Sequence, residues 1–166
     1  MQLTTIANLL SACHLARKIT DLLPPLPPQM TPRHIFILEV IHNLSITQKT
    51  VKISDISEHM QVTRPSVTKM INELVQMHCL MKTTAAHDKR ITWIKLTPLG
   101  EKYYDFYVSK FHNWLNSRLT DCSEADAQSA ISMLHKLYNV LNDEKRKKTL
   151  TAEAEVIIKG AESYDC

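Results

Sequence analysis

Leucine and isoleucine recur at helical spacing through most of this sequence, which favours a largely α-helical protein. The first such segment begins at Leu3 and is predicted to end near Leu23, because the prolines within residues 24–28 lack the N–H donors that a helix needs. We expect those prolines to form a stiff elbow between two helices. The second segment, from Pro32 to about Asn43, is apolar on most faces and is therefore predicted to be a central core helix.

Three helix starts carry the same local signal, a threonine followed within two residues by a proline. A threonine hydroxyl can cap the free N–H groups of a helix, and proline is tolerated in the first turn, where its N–H would be unpaired. We therefore place helix N-termini at three such pairs: Thr31 with Pro32, Thr63 with Pro65, and Thr97 with Pro98.

Short elements alternate in the middle of the chain. Residues 51–53 favour a short strand after a polar loop. Ser54 is expected to cap a helix that ends near Met60, with Asp55 in a first turn where the helix dipole favours acids. The next residues, Gln61 and Val62, are predicted to form a tight turn.

A second helix is predicted from Arg64 to His78, with apolar residues on one face and polar residues on the other. Two strands follow, at residues 80–84 and 91–96, on either side of a polar loop. A short helix, a tight turn, a second helix and a hairpin in this order form a winged helix-turn-helix.

Helical spacing returns after Thr97. A long amphipathic segment rich in aromatic residues comes first, and a second helix is predicted to start at Ser123, with Asp126 three residues later. Residues 149–166 are predicted to be a weakly helical, acidic tail. The fold class that follows is mainly α with a small β-hairpin wing, a winged helix-turn-helix lobe joined to a helical stalk.

Glycine is scarce, and this excludes several enzyme classes. The only two glycines are Gly100 and Gly160, whereas loops that hold phosphates or dinucleotides need several glycines at fixed spacing. No GxSxG frame for a hydrolase nucleophile is present either. We therefore expect no catalytic residues, no enzymatic activity and no cofactor.

The cysteines and histidines do not form a recognisable metal or disulfide pattern. Cys13, Cys79, Cys122 and Cys166 are far apart, with no CxxC pair, and the eight histidines show no HxxxH spacing. No apolar run is long enough to span a membrane. The sequence therefore predicts no metal site, no membrane association and a soluble protein of the reducing cytoplasm.

Positive charge is concentrated in the predicted winged lobe. Residues 49–95 carry eight cations and four anions, a net +4, against +3 for the whole chain. The N-terminus of a helix at residues 63–69 can enter the major groove of DNA. A hairpin tip that carries Lys89 and Arg90 can reach the minor groove, whose negative potential attracts cations. Double-stranded DNA is the partner that this pattern favours.

The same region resembles the MarR-type transcriptional regulators. The similarity runs through the helix-turn-helix into Asp88-Lys89-Arg90 of the wing, and then into Leu96-Thr97-Pro98-Leu99-Gly100, which matches the LTxxG motif of that family. It covers about residues 1–145, and the pairing of a DxR wing with LTxxG at this spacing is quite specific.

The resemblance implies a homodimer that binds a palindromic operator. The first helix and the last two helices of each subunit would intertwine, and two winged lobes would contact half-sites about one DNA turn apart. The implied segments are an N-terminal dimerisation helix with the proline elbow, the DNA-binding lobe, the C-terminal dimerisation helices and the acidic tail, at residues 1–30, 31–100, 101–148 and 149–166.

The resemblance also implies site residues. The DNA-facing start of the recognition helix and the wing would contribute Thr63, Arg64, Pro65, Ser66, Thr68, Lys69, Lys89 and Arg90. A small-molecule effector would bind between the stalk and the lobe, and its pocket is guessed to be lined by Cys13, Arg17, Met30, His34 and Ile37. We therefore expect a ligand-responsive repressor.

Three alternatives stay open. A reactive Cys13 would make the chain a redox sensor, and histidine ligands would make it a metal sensor, both on this fold. A non-DNA protein-interaction module is the third.

The family usually has a glycine where this chain has Cys79, at the exit of the recognition helix. Either Cys79 takes the left-handed conformation that glycine tolerates, or the helix ends differently.

Overall fold

A helical majority and a small antiparallel sheet make up the part of the chain that can be described. The computed structural model describes residues 1–84 and 92–143, with positions 148, 151, 152, 154, 155, 157 and 158. The chain divides into two units, Met1–Asn116 and Ser117–Cys166. The predicted fold class is confirmed for these residues.

Among its described residues, the first unit contains helices, three strands and one π-helical turn. In chain order they are α1 (Leu3–Thr20), α2 (Pro32–Thr47), β1 (Val51–Lys52), α3 (Ile53–Met60), α4 (Arg64–Gln76), β2 (Leu80–Thr84), β3 (Thr92–Leu96), α5 (Pro98–Tyr104), the π-turn (Asp105–Lys110) and α6 (Phe111–Asn116). The second unit contains α7 (Glu124–Leu141).

The sheet has the strand order β1-β3-β2, with both pairs antiparallel. Strands β2 and β3 form the predicted hairpin, in which Leu80 pairs with Leu96 and Thr84 with Thr92. Val51 of β1 pairs with Ile94 and adds a third strand to the hairpin. The hairpin is thereby attached to the start of α3, directly before the helix-turn-helix.

The hydrophobic core lies between α2, α3, α4 and the sheet. Helix α2 has six buried residues between His34 and Ile41, in the segment predicted to be a core helix, and α3, α4 and β3 each contribute side chains with almost no exposed surface. The main members are Ile37, Leu38, Ile41, Ile56, Val67, Ile71, Leu74 and Ile94. Because one face of α4 is buried in this core, its opposite face is presented to solvent.

Several predicted boundaries are wrong. Helix α1 ends at Thr20 rather than near Leu23, because the chain must already leave the helical conformation before the proline elbow. Helix α2 continues to Thr47, through the first part of the predicted polar loop. Helix α4 ends at Gln76 rather than at His78.

The predicted cap of α3 is also wrong. Lys52, not Ser54, occupies the N-cap position, and its N–H donates to Asp55 Oδ2 over 2.9 Å. The carboxylate three residues into the helix therefore pairs the N-cap amide, and Ser54 Oγ donates to the other oxygen of Asp55. The three predicted threonine positions, Thr31, Thr63 and Thr97, do occupy N-cap positions.

A π-turn interrupts the aromatic segment after Thr97, which the sequence pattern does not predict. Tyr107 of this turn is buried, and its hydroxyl donates to Pro25 O over 2.7 Å. The hydrogen bond fastens the proline elbow to the helix that follows the wing. In the second unit, α7 starts at the predicted cap, with Ser123 Oγ accepting from the N–H of Asp126 over 3.1 Å.

Candidate nucleic-acid interface

Helix α4 meets α3 through a turn of three residues. Gln61 adopts a left-handed conformation, with φ of 53°, and the N–H of Val62 donates to Ser57 O over 3.2 Å. The turn brings the N-terminus of α4 to the surface while Val67 and Ile71 pack into the core. This is the geometry of a helix-turn-helix, in which the second helix can enter the DNA major groove.

The outer face of α4 holds six of the eight predicted DNA-binding residues. Thr63, Arg64, Pro65, Ser66 and Lys69 are exposed, and Thr68 is partly exposed. Short side chains at the helix start are ordered by local hydrogen bonds, since Thr63 Oγ1 lies 2.9 Å from Ser66 Oγ and Thr68 Oγ1 donates to Arg64 O. The structure therefore places these six side chains on one accessible surface. Lys89 and Arg90 lie outside the described residues.

The accessible surface extends further along α4 than the residues predicted from the sequence, which end at Lys69. An open groove is lined by Arg64, Pro65, Thr68, Lys69, Asn72, Glu73 and Gln76. Asn72 also contacts Lys82 of β2, whose Nζ donates to Asn72 Oδ1. Helical spacing could have predicted that Asn72 and Gln76 lie on this face, because they follow Thr68 at intervals of four residues.

The end of α4 is locked to the start of α5. His78, not Cys79, takes the left-handed conformation, with φ of 58°. Thr97 Oγ1 donates to His78 O over 2.6 Å, and the N–H of Thr97 donates to Cys79 O over 3.0 Å. The helix therefore ends one residue earlier than the glycine of the family implies, and Cys79 keeps an ordinary backbone.

Cys79 is fully buried at this junction. Its Sγ donates to Met77 O over 3.4 Å, and burial raises the pKa of the Cys79 thiol. A raised pKa lowers the thiolate fraction, and the thiolate is the reactive form. The structure thus favours a packing role for this side chain.

The residues predicted for an effector pocket lie in different surroundings. Met30 and Ile37 belong to the hydrophobic core, and Cys13 is half-buried on α1. Arg17 lines an open groove with Thr31 and Phe36, among others. His34 is buried and hydrogen-bonded to α4, as described below.

An apolar cleft lies between the end of α1, the proline elbow and the helix after the wing. It measures about 670 Å³, and among the described residues that line it Lys110 alone carries a charge. Lys110 Nζ lies 3.2 Å from Asp105 Oδ2, across the π-turn. The lining consists of Ile19, Leu22, Leu23, Pro24, Phe106, Lys110, Phe111, Trp114 and Leu115. Among them, Phe111, Trp114 and Leu115 belong to the aromatic segment that the resemblance assigns to dimerisation.

Within the described residues, no group of three or more His, Cys, Asp or Glu side chains is placed to hold a metal ion. A search of the same part of the chain finds no helix that is both long and apolar enough to cross a membrane.

Residues 31–81 match the protein family described as "Iron dependent repressor, N-terminal DNA binding domain". The matched segment runs from the N-cap of α2 into β2, so it contains the whole helix-turn-helix. No curated protein sequence is significantly similar to the chain.

Solved structures of bacterial regulators share the fold over most of the chain. A cysteine-to-serine mutant of E. coli MarR in complex with operator DNA has a TM-score of 0.63 at 20% identity, covering 82% of this chain and 99% of that one. Streptococcus pneumoniae FabT in complex with DNA has a TM-score of 0.61 at 21% identity, covering 86% and 99%. The PcaV transcriptional regulator from Streptomyces coelicolor, in complex with its natural ligand, has a TM-score of 0.59 at 13% identity, covering 86% and 95%.

These similarities establish that the chain has the fold of the MarR-type winged helix-turn-helix proteins. The resemblance read from the sequence is confirmed at that level.

Proposed function

We propose that this chain, which has the MarR-type winged helix-turn-helix fold, is a transcriptional regulator that binds double-stranded DNA through α4. The observation that carries the proposal is that α4 has one buried apolar face and one exposed polar face. Its inner face is part of the core, while Arg64, Lys69 and the hydroxyls of Thr63 and Ser66 lie together on its outer face. Cations hold the phosphate backbone, and hydroxyls and amides can contact base edges.

The proposal extends to a homodimer on a palindromic operator. MarR and FabT, which share the fold, were solved with DNA. Two copies of α4 related by a twofold axis would read two half-sites about one helical turn apart. The amphipathic helices α1 and α7, whose exposed surfaces include Leu15 and Leu134, are the elements we assign to the dimer interface.

We further propose that a small-molecule effector regulates DNA binding and that the chain acts as a repressor. PcaV, which shares the fold, was solved with its natural ligand. In this chain the apolar cleft, whose lining includes Lys110, has the composition expected of a small-molecule site. An apolar molecule with a negative charge fits that composition best.

Substitutions on α4 test the DNA-binding proposal. The probe is the duplex that the wild-type protein enriches from a randomised library of 20-base-pair sequences. Lys69→Ala should weaken binding to all sequences and reduce the slope of log affinity against log salt by about one, because one phosphate contact is lost. Arg64→Ala should weaken binding by about 1–3 kcal/mol if its guanidinium reads a base.

Lys102→Ala is the matched control, since Lys102 is an exposed lysine on α5, outside α4 and outside the helices assigned to the dimer interface. It should leave the affinity and the salt slope unchanged. Sedimentation of the complex should give two chains per duplex. A wild-type protein that enriches no sequence and retards no duplex at low salt would contradict the proposed function.

A further inference from the structure

His34 is a buried histidine that connects the start of α2 to α4. Its side chain is 5% exposed, and its Nε2 lies 2.9 Å from Oε2 of Glu73. The N–H of Thr31, the N-cap of α2, donates to His34 Nδ1 over 3.1 Å. Both ring nitrogens therefore have a partner, and the imidazole is held between the two helices.

These partners define which nitrogen carries the proton. Nδ1 accepts from a backbone N–H, so in the neutral ring the proton lies on Nε2. Nε2 then donates to the carboxylate of Glu73, and this bond restricts the position of that side chain. The link spans 39 residues of sequence, between an element outside the helix-turn-helix and the helix that would enter DNA.

Glu73 stands out on the surface of α4. Among the described residues that line the groove along that helix, it is the one acid, beside the cations Arg64 and Lys69. Glu73 follows Lys69 by four residues, so the two side chains occupy neighbouring positions on the same helix face. A carboxylate that is free at this place would pair with Lys69 or repel a DNA phosphate.

We propose that His34 is a positioning residue for DNA binding: it holds the Glu73 carboxylate toward α2 and thereby keeps Lys69 available to the phosphate backbone. This inference rests on the proposed function. Its effect on DNA is indirect, because His34 is buried and acts through Glu73.

The test compares four proteins on the duplex selected by the wild type. His34→Leu, which removes both hydrogen bonds and keeps an apolar side chain in the core, should bind about tenfold more weakly. His34→Gln, which can still donate to Glu73, should bind within about twofold of the wild type. Glu73→Gln should bind at least as tightly as the wild type, because it removes the acid from the groove.

The double variant with His34→Leu and Glu73→Gln separates positioning from general destabilisation. Its affinity should return to that of Glu73→Gln, although its thermal stability should stay as low as that of His34→Leu. A double variant that binds no better than His34→Leu would overturn the inference, and so would equal affinities for His34→Leu and the wild type. Failure of the wild type to bind any duplex would overturn the inference and the proposed function together, whereas normal wild-type binding without the rescue overturns the inference alone.

Discussion

At the scale of single residues, the contact between the end of α4 and the start of α5 explains why position 100 is a glycine and involves the unusual Cys79. A Cβ atom built on Gly100 would lie 2.1 Å from the carbonyl oxygen of Cys79, which is far inside van der Waals contact. That same oxygen accepts the N–H of Thr97. Gly100 is therefore required by the close approach of the backbone after α4, and its own backbone conformation is ordinary.

Gly100→Ala should destabilise the protein, although alanine is normally the better helix residue by about 1 kcal/mol. The added methyl group must displace the backbone at Cys79, and overpacking of this kind costs about 1–3 kcal/mol. Urea unfolding followed by circular dichroism measures the loss. Lys102→Ala, at an exposed position of the same helix, is the control and should be near neutral. Equal free energies of unfolding for the two variants would show that the backbone at Cys79 accommodates the methyl group, and would contradict the prediction.

At the scale of elements, α7 is a helix whose start is specified locally. Ser123 Oγ accepts from the N–H of Asp126, and the N–H of Ser123 donates to Asp126 Oδ2 over 3.1 Å. The hydroxyl of Ser123 is also 2.6 Å from that carboxylate oxygen. Such reciprocal caps need only four consecutive residues, which is why the sequence predicts this start correctly.

The cap makes the start of α7 sensitive to acid. The hydrogen bonds from Ser123 lower the pKa of Asp126, because they stabilise its charged form. A pKa lowered by folding contributes stability above the ordinary aspartate value, and that contribution is lost as the pH falls through about 4 and below. Carboxyl NMR titration should show the pKa of Asp126 rising in Ser123→Ala. It should be unchanged in Ser129→Ala, which lies on the same helix, and a rise in both variants would contradict the assignment.

At the scale of the molecule, the proline elbow and the π-turn create the apolar cleft. Tyr107 holds Pro25 through a hydrogen bond, while Phe106 and Phe111 on the same helical segment face the end of α1 across the cleft. The π-turn shifts the helical register by one residue relative to a regular α-helix, and such turns are frequent at functional sites.

A fluorescent anion tests the cleft as an effector site. The probe 8-anilinonaphthalene-1-sulfonate combines an apolar ring system with one negative charge, so it should bind and quench Trp114, which is half-exposed in the cleft. Lys110→Met should weaken binding by about tenfold, because it removes the cation while retaining the apolar stem. Trp114→Phe should abolish most of the quenching and leave the emission of Trp93 as an internal reference. Unchanged affinity in Lys110→Met, or unchanged quenching in Trp114→Phe, would contradict this site.

Local sequence by itself determined the helix starts at Thr31, Thr63, Thr97 and Ser123, together with the apolar face of α4 and the exposed positions among residues 63–69. Each of these depends on neighbours within about one or two helical turns, through capping or helical periodicity. The ends of α1, α2 and α4 were predicted less well, because a helix can extend or stop by a turn according to what it packs against.

Only the tertiary structure decided the contacts between distant segments. The approach of Gly100 to Cys79, the bond from His34 to Glu73 and the anchoring of Pro25 by Tyr107 join residues 21, 39 and 82 positions apart. No local pattern encodes such pairs, because they arise when separate elements share one core. For the same reason, no local pattern predicts the apolar cleft, which is lined by residues of α1, the proline elbow and the aromatic helix.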